Sequence, residues 1–172
     1  MALILVDEHD RPLGTGEKLA VHEAGLLHRA FSVQVFDRAG RWLLQRRAAV
    51  KYHGGGLWSN TCCSHPLVGE DTLSAAHARL AFEMGFDCPL GFEYSFVYRA
   101  TIPPEGLIEH EFDHVFAGRF EGDPSPNPDE VDAWRWVAPD ALGEELSAHP
   151  AHFTPWFALI HATLSRRQPA CR

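Results

Sequence analysis

The sequence predicts a single domain of the α+β class, in which strands outnumber helices. The chain has 172 residues, an ordinary size for one domain with a proper core, and 45% of them are hydrophobic. Six segments are rich in apolar, β-branched and aromatic residues, and turn residues separate most of them. These predicted strands cover residues 3–6, 27–36, 42–45, 92–101, 107–120 and 133–137.

Turn residues indicate how the strands are connected. The acidic stretch at 7–10 ends the first strand, and Asp-Arg-Ala-Gly at 37–40 predicts a hairpin between the second and third strands. Residues 17–22 follow a glycine-containing bend at 14–16 and are assigned to no element. Pro-Pro-Glu-Gly at 103–106 predicts a turn, and the proline-containing stretch 121–132 predicts a loop.

The clearest helix begins after Pro66. Asp71 or Thr72 can cap its N-terminus, Gly85 is a suitable C-terminal stop, and apolar residues recur between them at helical spacing. Arg79 and Glu83 lie four residues apart on another face of this helix. A surface salt bridge is the simplest interpretation of that pair.

Two further helices are predicted near the end of the chain. One covers residues 139–146, and the other starts at the Thr154-Pro155 cap and carries an apolar stripe of Trp156, Ile160 and Leu164. Trp156 is most simply a core residue. Its position beside the cap would also let its ring face a pocket.

Composition and charge argue against several functions and locations. The net charge of −8 argues against general nucleic-acid binding, and an anionic substrate would need a local basic cluster. The N-terminus turns acidic too early for a signal peptide, and no apolar run could span a membrane. The four cysteines form neither a zinc-ribbon pattern nor a disulfide framework, so a cytoplasmic protein with reduced thiols is expected.

The stretch Leu-Trp-Ser-Asn-Thr-Cys-Cys-Ser-His-Pro at 57–66 holds the most reactive groups. Cys63 and His65 are two residues apart, so on an extended segment both face the same side, while Cys62 faces away. A thiolate can act as nucleophile, base or metal ligand, and imidazole is a common ligand for transition metals. The alternative is a buried cysteine and a surface histidine beside a flexible loop.

Three further sets of residues become informative when they are considered together. His22, His28, His65, Glu109 and Glu111 are candidate metal ligands, although Glu109 and Glu111 could also belong to a solvated edge strand. Lys18, Arg47, Lys51 and Arg79 are a basic set suited to phosphate oxygens, and Glu70 and Glu83 flank the first predicted helix, where a carboxylate can hold Mg²⁺. Together the sets describe a site for a diphosphate, two divalent ions and a reactive thiol.

With Arg46-Arg47-Ala48 upstream and Glu109-His110-Glu111 downstream, the motif from Ser59 to Pro66 resembles the type I isopentenyl diphosphate isomerases. The resemblance covers nearly the whole chain. It implies one Nudix-like domain over residues 1–172, an α/β/α sandwich with a mixed central β-sheet. The helix after Gly69 resembles a degenerate Nudix helix, in which Arg79 and Phe82 replace two acidic residues that a hydrolase needs.

The resemblance also implies a reaction and a role for each site residue. The reaction is the rearrangement of isopentenyl diphosphate to dimethylallyl diphosphate through a tertiary carbocation. Cys63 and Glu111 would be the catalytic pair, Tyr98 would assist proton transfer near Glu111, and Trp156 would face the cationic carbon. The metal site with Mn²⁺, Mg²⁺ or Zn²⁺ would use His22, His28, His65, Glu109 and Glu111, Glu83 would hold the Mg²⁺ on the diphosphate, and the diphosphate contacts would be Lys18, Arg47, Lys51 and Arg79.

Two other functions remain as alternatives. The first is a Nudix hydrolase of a nucleoside diphosphate derivative, which the replacements at Arg79 and Phe82 disfavour. The second is a metal-binding module without catalytic activity. For the isomerase, the expected partner is a small allylic or homoallylic diphosphate, with no nucleic acid or membrane, and the expected state is a monomer or weak homodimer.

Overall fold

The computed structural model describes residues 1–51, 53–103 and 106–167. Within these ranges the strands are β1 (Ala2–Val6), β2 (Pro12–Glu17), β3 (His28–Phe36), β4 (Trp42–Arg47), β5 (Trp58–Ser59), β6 (Cys62–Ser64), β7 (Leu90–Ile102), β8 (Leu107–Arg119) and β9 (Val131–Val137). The helices are α1 (Lys18–Ala24), α2 (Thr72–Met84), α3 (Pro139–Ala148) and α4 (Pro155–Arg167), with a 3₁₀-helix at Pro150–His152. Part of the predicted turn at 103–106 lies outside the described residues, as does Cys171.

Strand β3 is at the centre of the sheet. Strand β8 pairs with it in parallel, from His28 opposite Glu111 to Phe36 opposite Arg119. Antiparallel partners of β3 are β1, β6 and β4. Strand β7 pairs with β8, β2 pairs with β1, and both β5 and β9 pair with β4. The sheet is therefore mixed, as expected.

The strand register brings reactive side chains onto one face of the sheet. His28 of β3 lies opposite Glu111 of β8, which in turn lies opposite Tyr98 of β7. Four residues further along β3, Ser32 lies opposite Cys63 of β6. Because side chains alternate along a strand, residues four apart on β3 point to the same side of the sheet. This register determines the position of the candidate site.

Strand β8 lies inside the sheet between β3 and β7. The side chains of Glu109, Glu111 and Asp113 are all buried, at 4%, 8% and 0% exposed. The alternative of a solvated edge strand is therefore wrong. Buried carboxylates are costly unless hydrogen bonds or positive groups meet them, so these residues need partners.

Helices cover both faces of the sheet. On the face that carries Cys63 and Tyr98, the core includes Trp156, Phe157 and Ile160 of α4. On the other face, Ala76, Leu80 and Met84 of α2 pack against Phe31 and Val33 of β3. Full burial of one such large apolar side chain contributes about 1.5–3 kcal/mol. The arrangement is the expected α/β/α sandwich, and each of the two cores depends on a different helix.

The ends of α2 agree with the sequence prediction. The Asp71 carboxylate accepts a hydrogen bond from the Ser74 amide at 2.9 Å and so caps the N-terminus. Gly85 ends the helix in the left-handed conformation, with φ of 74°, and a Cβ there would lie 2.1 Å from the Ser125 carbonyl oxygen. Glycine is therefore required at this position both by its conformation and by the close backbone contact.

The first quarter of the chain contains two elements that the sequence did not predict. Strand β2 includes the predicted bend at 14–16, and its largely exposed, glycine-containing sequence lacks the alternation typical of a half-buried strand. Helix α1 has only seven residues, which is too short for a clear periodic pattern. The Glu17 carboxylate caps it by accepting from the Leu19 amide, and Gly25 ends it. None of the described helices is both long and apolar enough to cross a bilayer.

Candidate active site

A narrow cavity of about 40 Å³ opens on the α4 side of the sheet. Its lining contains basic, acidic, aromatic and sulfur-containing side chains from seven different parts of the chain. The lining residues are Lys18, Arg47, His53, Cys63, Ser64, His65, Tyr98, Glu109, Glu111 and Trp156. The structure therefore brings both members of the predicted catalytic pair, Cys63 and Glu111, to the same cavity.

All five predicted ligands of the metal site lie together. One donor atom from each of the five residues can be chosen so that all of these atoms lie within 4.8 Å of one another. The group comprises His22 from α1, His28 from β3, His65 after β6, and Glu109 and Glu111 from β8. The parallel pairing of β3 with β8 makes this possible, because it joins residues that are far apart in the sequence.

The backbone fixes which nitrogen of two imidazoles faces this group. His22 Nδ1 lies 2.6 Å from the Lys18 carbonyl oxygen, and His28 Nδ1 lies 2.8 Å from the Leu26 carbonyl oxygen. Since a carbonyl can only accept, each Nδ1 carries the proton and each Nε2 keeps its lone pair when the ring is neutral. This is the tautomer that a metal ligand requires.

Several nitrogen and oxygen atoms of the ligand group have poor hydrogen-bond partners. His28 Nε2, which keeps its lone pair when the ring is neutral, lies 3.2 Å from His65 Nε2 and 3.6 Å from Glu111 Oε1, an oxygen that can only accept. His22 Nε2 and Glu109 Oε2 also lie 3.2 Å apart, and neither atom makes a well-formed hydrogen bond. Three nitrogens and two carboxylates that converge in this way fit a divalent cation, since the cation accepts all of their lone pairs at once.

The carboxylates of this group are held in the ionised form. Burial raises the pKa of Glu109, but the neighbouring imidazoles of His22 and His53 outweigh burial and hold it well below its ordinary value. For Glu111, burial and the Glu109 charge raise the pKa, while His28 and His65 bring it below its ordinary value. Burial lowers the pKa of His65 to about 4, so its imidazole is neutral near pH 7. Burial lowers the pKa of His28, but the Glu111 carboxylate outweighs burial and raises it above its ordinary value. The ionised carboxylates and the neutral His65 are in the protonation states of metal ligands.

Glu111 has a second contact that connects the metal ligands with proton chemistry. Its Oε1 lies 3.0 Å from His65 Nε2, whereas its Oε2 accepts a hydrogen bond from the Tyr98 hydroxyl at 2.6 Å. Burial and the Glu111 charge raise the pKa of Tyr98 well above its ordinary value, so the phenol stays protonated. One carboxylate therefore joins the ligand group to a proton-donating phenol.

Cys63 faces the cavity, whereas its neighbour Cys62 is completely buried in the core against α2. Burial raises the pKa of the Cys63 thiol to about 12, and the nearby Arg47 guanidinium only partly opposes this. An Arg47 terminal nitrogen lies 3.7 Å from the sulfur. The group is thus a protonated thiol near pH 7, which can donate a proton.

An aromatic wall and two cations complete the cavity. The Trp156 indole N–H donates to Asn60 Oδ1 at 3.2 Å, and the Arg47 guanidinium carbon lies 5.5 Å from the centroid of the same ring. That distance is within the range for a cation–π contact, so the ring already attracts one positive charge. Lys18 is the second cation, and its burial lowers its pKa while Glu109 opposes the change.

Five predicted site residues are not part of this cavity lining. Two of them, His22 and His28, belong to the ligand group, and the other three form a network of ion pairs around α2. Glu83 is 0% exposed, and its carboxylate accepts from Arg79 Nε at 2.6 Å, Gln45 Nε2 at 2.7 Å and Lys51 Nζ at 3.4 Å. Arg79 and Lys51 also contact Glu130. The predicted Arg79–Glu83 pair therefore exists, but Glu83 is a core residue and not a surface residue. Glu70 instead accepts from the Leu67 amide at 2.8 Å and stabilises the loop before α2.

Sequence reasoning missed two residues of this region. His53 lines the cavity, and its Nδ1 lies 2.6 Å from Glu109 Oε1. Glu130 pairs with both Lys51 and Arg79 from the loop before β9. The high histidine count was a general signal for His53, but no local motif marked either residue.

Comparison with known proteins places the fold and the site in context. The NUDIX domain family matches residues 26–157. Among solved structures, a protein of Deinococcus radiodurans has a TM-score of 0.72 at 18% identity, covering 87% of this chain and 90% of its own. The MutT protein of Methanosarcina mazei has a TM-score of 0.67 at 15% identity, covering 82% and 94%. At these identities the structural likeness shows the fold alone.

Curated sequence relatives are much more similar. "Isopentenyl-diphosphate Delta-isomerase 2" of Photorhabdus laumondii is 52% identical over 163 residues, which cover 95% of this chain and 92% of the relative. The protein of the same name from Aromatoleum aromaticum is 54% identical over 156 residues, covering 91% and 82%. The isomerase of Serratia proteamaculans is 49% identical over 166 residues, covering 96% and 92%. The chain therefore belongs to the isopentenyl-diphosphate Delta-isomerase family, within the NUDIX domain proteins.

Proposed function

We propose that this protein is an isomerase that converts isopentenyl diphosphate to dimethylallyl diphosphate. The observation that carries the proposal is the shared cavity of Cys63 and Glu111, in which the carboxylate belongs to a five-residue ligand group. Moving a carbon–carbon double bond by one position requires one proton to be added and another to be removed. The cavity offers a protonated thiol and an ionised carboxylate backed by a phenol, which together can exchange these protons.

The residues of the cavity fit the charge that develops during this reaction. Protonation of an unactivated alkene produces a tertiary carbocation, which water would capture. The narrow cavity is lined by Trp156 and Tyr98, both nearly fully buried, so little water can enter once substrate fills it. The face of the Trp156 ring is oriented to attract a cation, as its contact with Arg47 indicates.

A divalent cation is part of the proposal, because the donor set fits one. We propose that His22, His28, His65, Glu109 and Glu111 hold Mn²⁺, Mg²⁺ or Zn²⁺. When bound, the ion supplies positive charge that fixes the ligating carboxylates and lowers their proton affinity. The chain itself supports this role by holding the imidazoles in the required tautomer and by keeping Glu111 Oε2 bonded to Tyr98.

The diphosphate has two groups of candidate partners. Lys18 and Arg47 line the cavity, and we propose that they contact the diphosphate directly. Lys51 and Arg79 are further proposed contacts, although in this structure they are paired with Glu83 and Glu130. We propose that Glu83 holds a Mg²⁺ that accompanies the diphosphate. Lys51 and Arg79 would then exchange their contacts with carboxylate oxygens for contacts with phosphate oxygens.

Hydrolysis of a nucleoside diphosphate derivative is the competing function. Helix α2 carries a single carboxylate, Glu83, which three side chains already contact. Phe82 is 54% exposed, and the Arg79 guanidinium lies 5.2 Å from its ring centroid. A helix with one acidic side chain is a poor scaffold for the clustered metal ions of a hydrolase, so the isomerase is favoured.

We also propose that the enzyme works in the cytoplasm on a small diphosphate as a monomer or weak homodimer, without nucleic acid or membrane partners. The free thiol of Cys63 supports a reducing compartment, because the proposed chemistry requires the sulfur to carry a proton. The oligomeric state can be measured by light scattering across a range of protein concentrations.

The test is incubation with isopentenyl diphosphate and Mg²⁺ in deuterated water. We expect dimethylallyl diphosphate that carries deuterium, detected by NMR, with no release of phosphate. Phosphate release without isomer formation would identify a hydrolase. Metal binding without any turnover of the wild type, and unchanged metal binding in Cys63→Ala, would identify a non-catalytic module.

A further inference from the structure

His53 makes a specific contact with a residue of the ligand group. It is 5% exposed, lies in the loop between β4 and β5, and places its Nδ1 2.6 Å from Glu109 Oε1. A carboxylate that is ionised can only accept hydrogen bonds, so Nδ1 carries the proton and donates it. The contact is short and charge-assisted, which makes it one of the stronger kinds of hydrogen bond.

The two oxygens of Glu109 consequently have different surroundings. Oε1 faces His53, while Oε2 lies 3.2 Å from His22 Nε2, on the side where the donor atoms converge. The rings of His53 and His22 are nearly perpendicular, at 85°, with centroids 4.3 Å apart. His53 therefore limits rotation of the carboxylate through its hydrogen bond, and its ring also packs against His22, a second member of the ligand group.

The loop itself is anchored so that His53 is held in place. Arg47 Nε donates to the His53 carbonyl oxygen at 3.0 Å, and the Lys51 amide donates to the Ala48 carbonyl oxygen at 3.0 Å. A Cβ at Gly55 would lie 2.5 Å from the Lys51 carbonyl oxygen. The tight loop thus requires glycine at position 55, and its path carries His53 into the cavity.

We propose that His53 is a positioning residue for the metal centre. Its Nδ1–H holds Glu109 so that one carboxylate oxygen is presented to the cation and the other is kept away. His53 is not a member of the group of five convergent ligands found among the described residues, so it acts through Glu109. The inference rests on the metal site of the proposed function but is independent of the isomerase chemistry. Loss of such an outer hydrogen bond typically weakens metal affinity by about 10–100-fold.

The test measures Mn²⁺ binding to metal-free protein by electron paramagnetic resonance and calorimetry, without substrate. His53→Leu and His53→Phe remove the donor, and we expect the affinity to fall by about 10–100-fold. His53→Asn keeps an N–H at a position close to Nδ1, and we expect affinity within about threefold of wild type. His77→Leu is the matched control, because His77 also contacts a carboxylate, Asp87, at 2.6 Å but lies on α2 outside the cavity lining.

Each result either supports or overturns the inference. Wild-type affinity in a folded His53→Leu variant would overturn it, and so would an equal loss in His53→Leu and His53→Asn. If neither variant without the donor folds, a folded His53→Asn variant that has lost about tenfold or more would also overturn it. If the wild type fails to isomerise substrate but His53→Leu weakens Mn²⁺ binding, the proposed function fails and the role of His53 stands.

Discussion

Two groups of carboxylates in the part of the chain that the structure describes differ in how their negative charge is balanced. Glu109 and Glu111 face imidazoles, and two of the convergent donor atoms, His22 Nε2 and Glu109 Oε2, have no hydrogen-bond partner. Glu83 faces Arg79 and Lys51, whose charges balance it and Glu130 within a closed network. The first group needs a cation from outside the chain, whereas the second already contains its cations and can release them only to another anion. This difference is the one expected if the ligand group binds its own divalent ion and the ion-pair network meets a diphosphate.

The largest expected effect separates chemistry from metal binding. Cys63→Ala removes the thiol proton but none of the five ligands, so we expect isomerisation to fall by at least about 10³-fold. Mn²⁺ affinity and the thermal midpoint should remain close to those of the wild type. Near-normal turnover in this variant would remove Cys63 from the mechanism.

Glu111→Gln should affect isomerisation and metal binding at once. We expect loss of isomerisation similar to that of Cys63→Ala, because the proton acceptor is gone, together with weaker Mn²⁺ binding, because one ligand charge is lost. Stopped assays and metal titration on the same sample provide the measurement. A variant that loses metal but keeps turnover would contradict the placement of Glu111 in both roles.

Substitution of a cation in the ion-pair network should weaken substrate binding and leave the rate of the chemical step nearly unchanged. Lys51→Ala removes a cation that Glu83 and Glu130 share, and we expect KM for isopentenyl diphosphate to rise by roughly tenfold or more, since hydrogen bonds to charged groups contribute about 1.5–3 kcal/mol. The kcat should change little. An effect confined to kcat would contradict a role in ground-state diphosphate binding.

Acid should destabilise the metal-free protein because His65, in the ligand group, resists protonation in the folded state. The folded-state pKa of His65 is about 4 against an ordinary 6.5, so the unfolded chain binds the proton more readily. The associated stability is present above about pH 6.5 and is lost as the pH falls toward 4. Urea denaturation at pH 7 and pH 5 should show a smaller loss in His65→Gln than in wild type. An equal loss in both proteins would exclude His65 as the cause.

The smallest expected effect is an improvement in substrate binding. Glu130→Gln removes a carboxylate that competes for Lys51 and Arg79, so we expect KM to fall by about three- to tenfold with kcat unchanged. The control is Glu145→Gln, which removes a carboxylate paired with Arg135 on the surface. A raised KM in Glu130→Gln would show that the carboxylate organises the cations and does not compete with substrate.

Much of the fold could be predicted from local patterns. The caps of α2 at Asp71 and Gly85 are visible in the sequence because each depends on backbone contacts within a few residues or on a conformation that glycine favours. Alternation also predicted that Cys62 and Cys63 would point to opposite sides. By contrast, β2 and α1 are short, and their form depends on pairing with β1 and on the Glu17 cap.

The site was predicted less completely, because its contacts depend on strand register and loop path. The ligand group was a candidate from its residue types, and the resemblance to a family supported it and supplied the Tyr98–Glu111 pair. The structure brings these residues together. His53 and Glu130 were missed because a histidine in a glycine-rich loop and a glutamate after prolines carry no pattern of their own. Their importance follows only from residues 56 and 51 positions away, Glu109 and Arg79.

The parallel pairing of β3 with β8 has a consequence for how the metal centre forms during folding. Its ligands come from residues 22–28, 65 and 109–111, so they meet only after the chain has closed loops of many residues. An unfolded chain cannot offer this constellation, so a divalent ion that binds the group would shift the folding equilibrium toward the native topology. Calorimetric scans should show a melting temperature that rises with ion concentration, because the ion binds only a chain in which β3 and β8 are correctly paired.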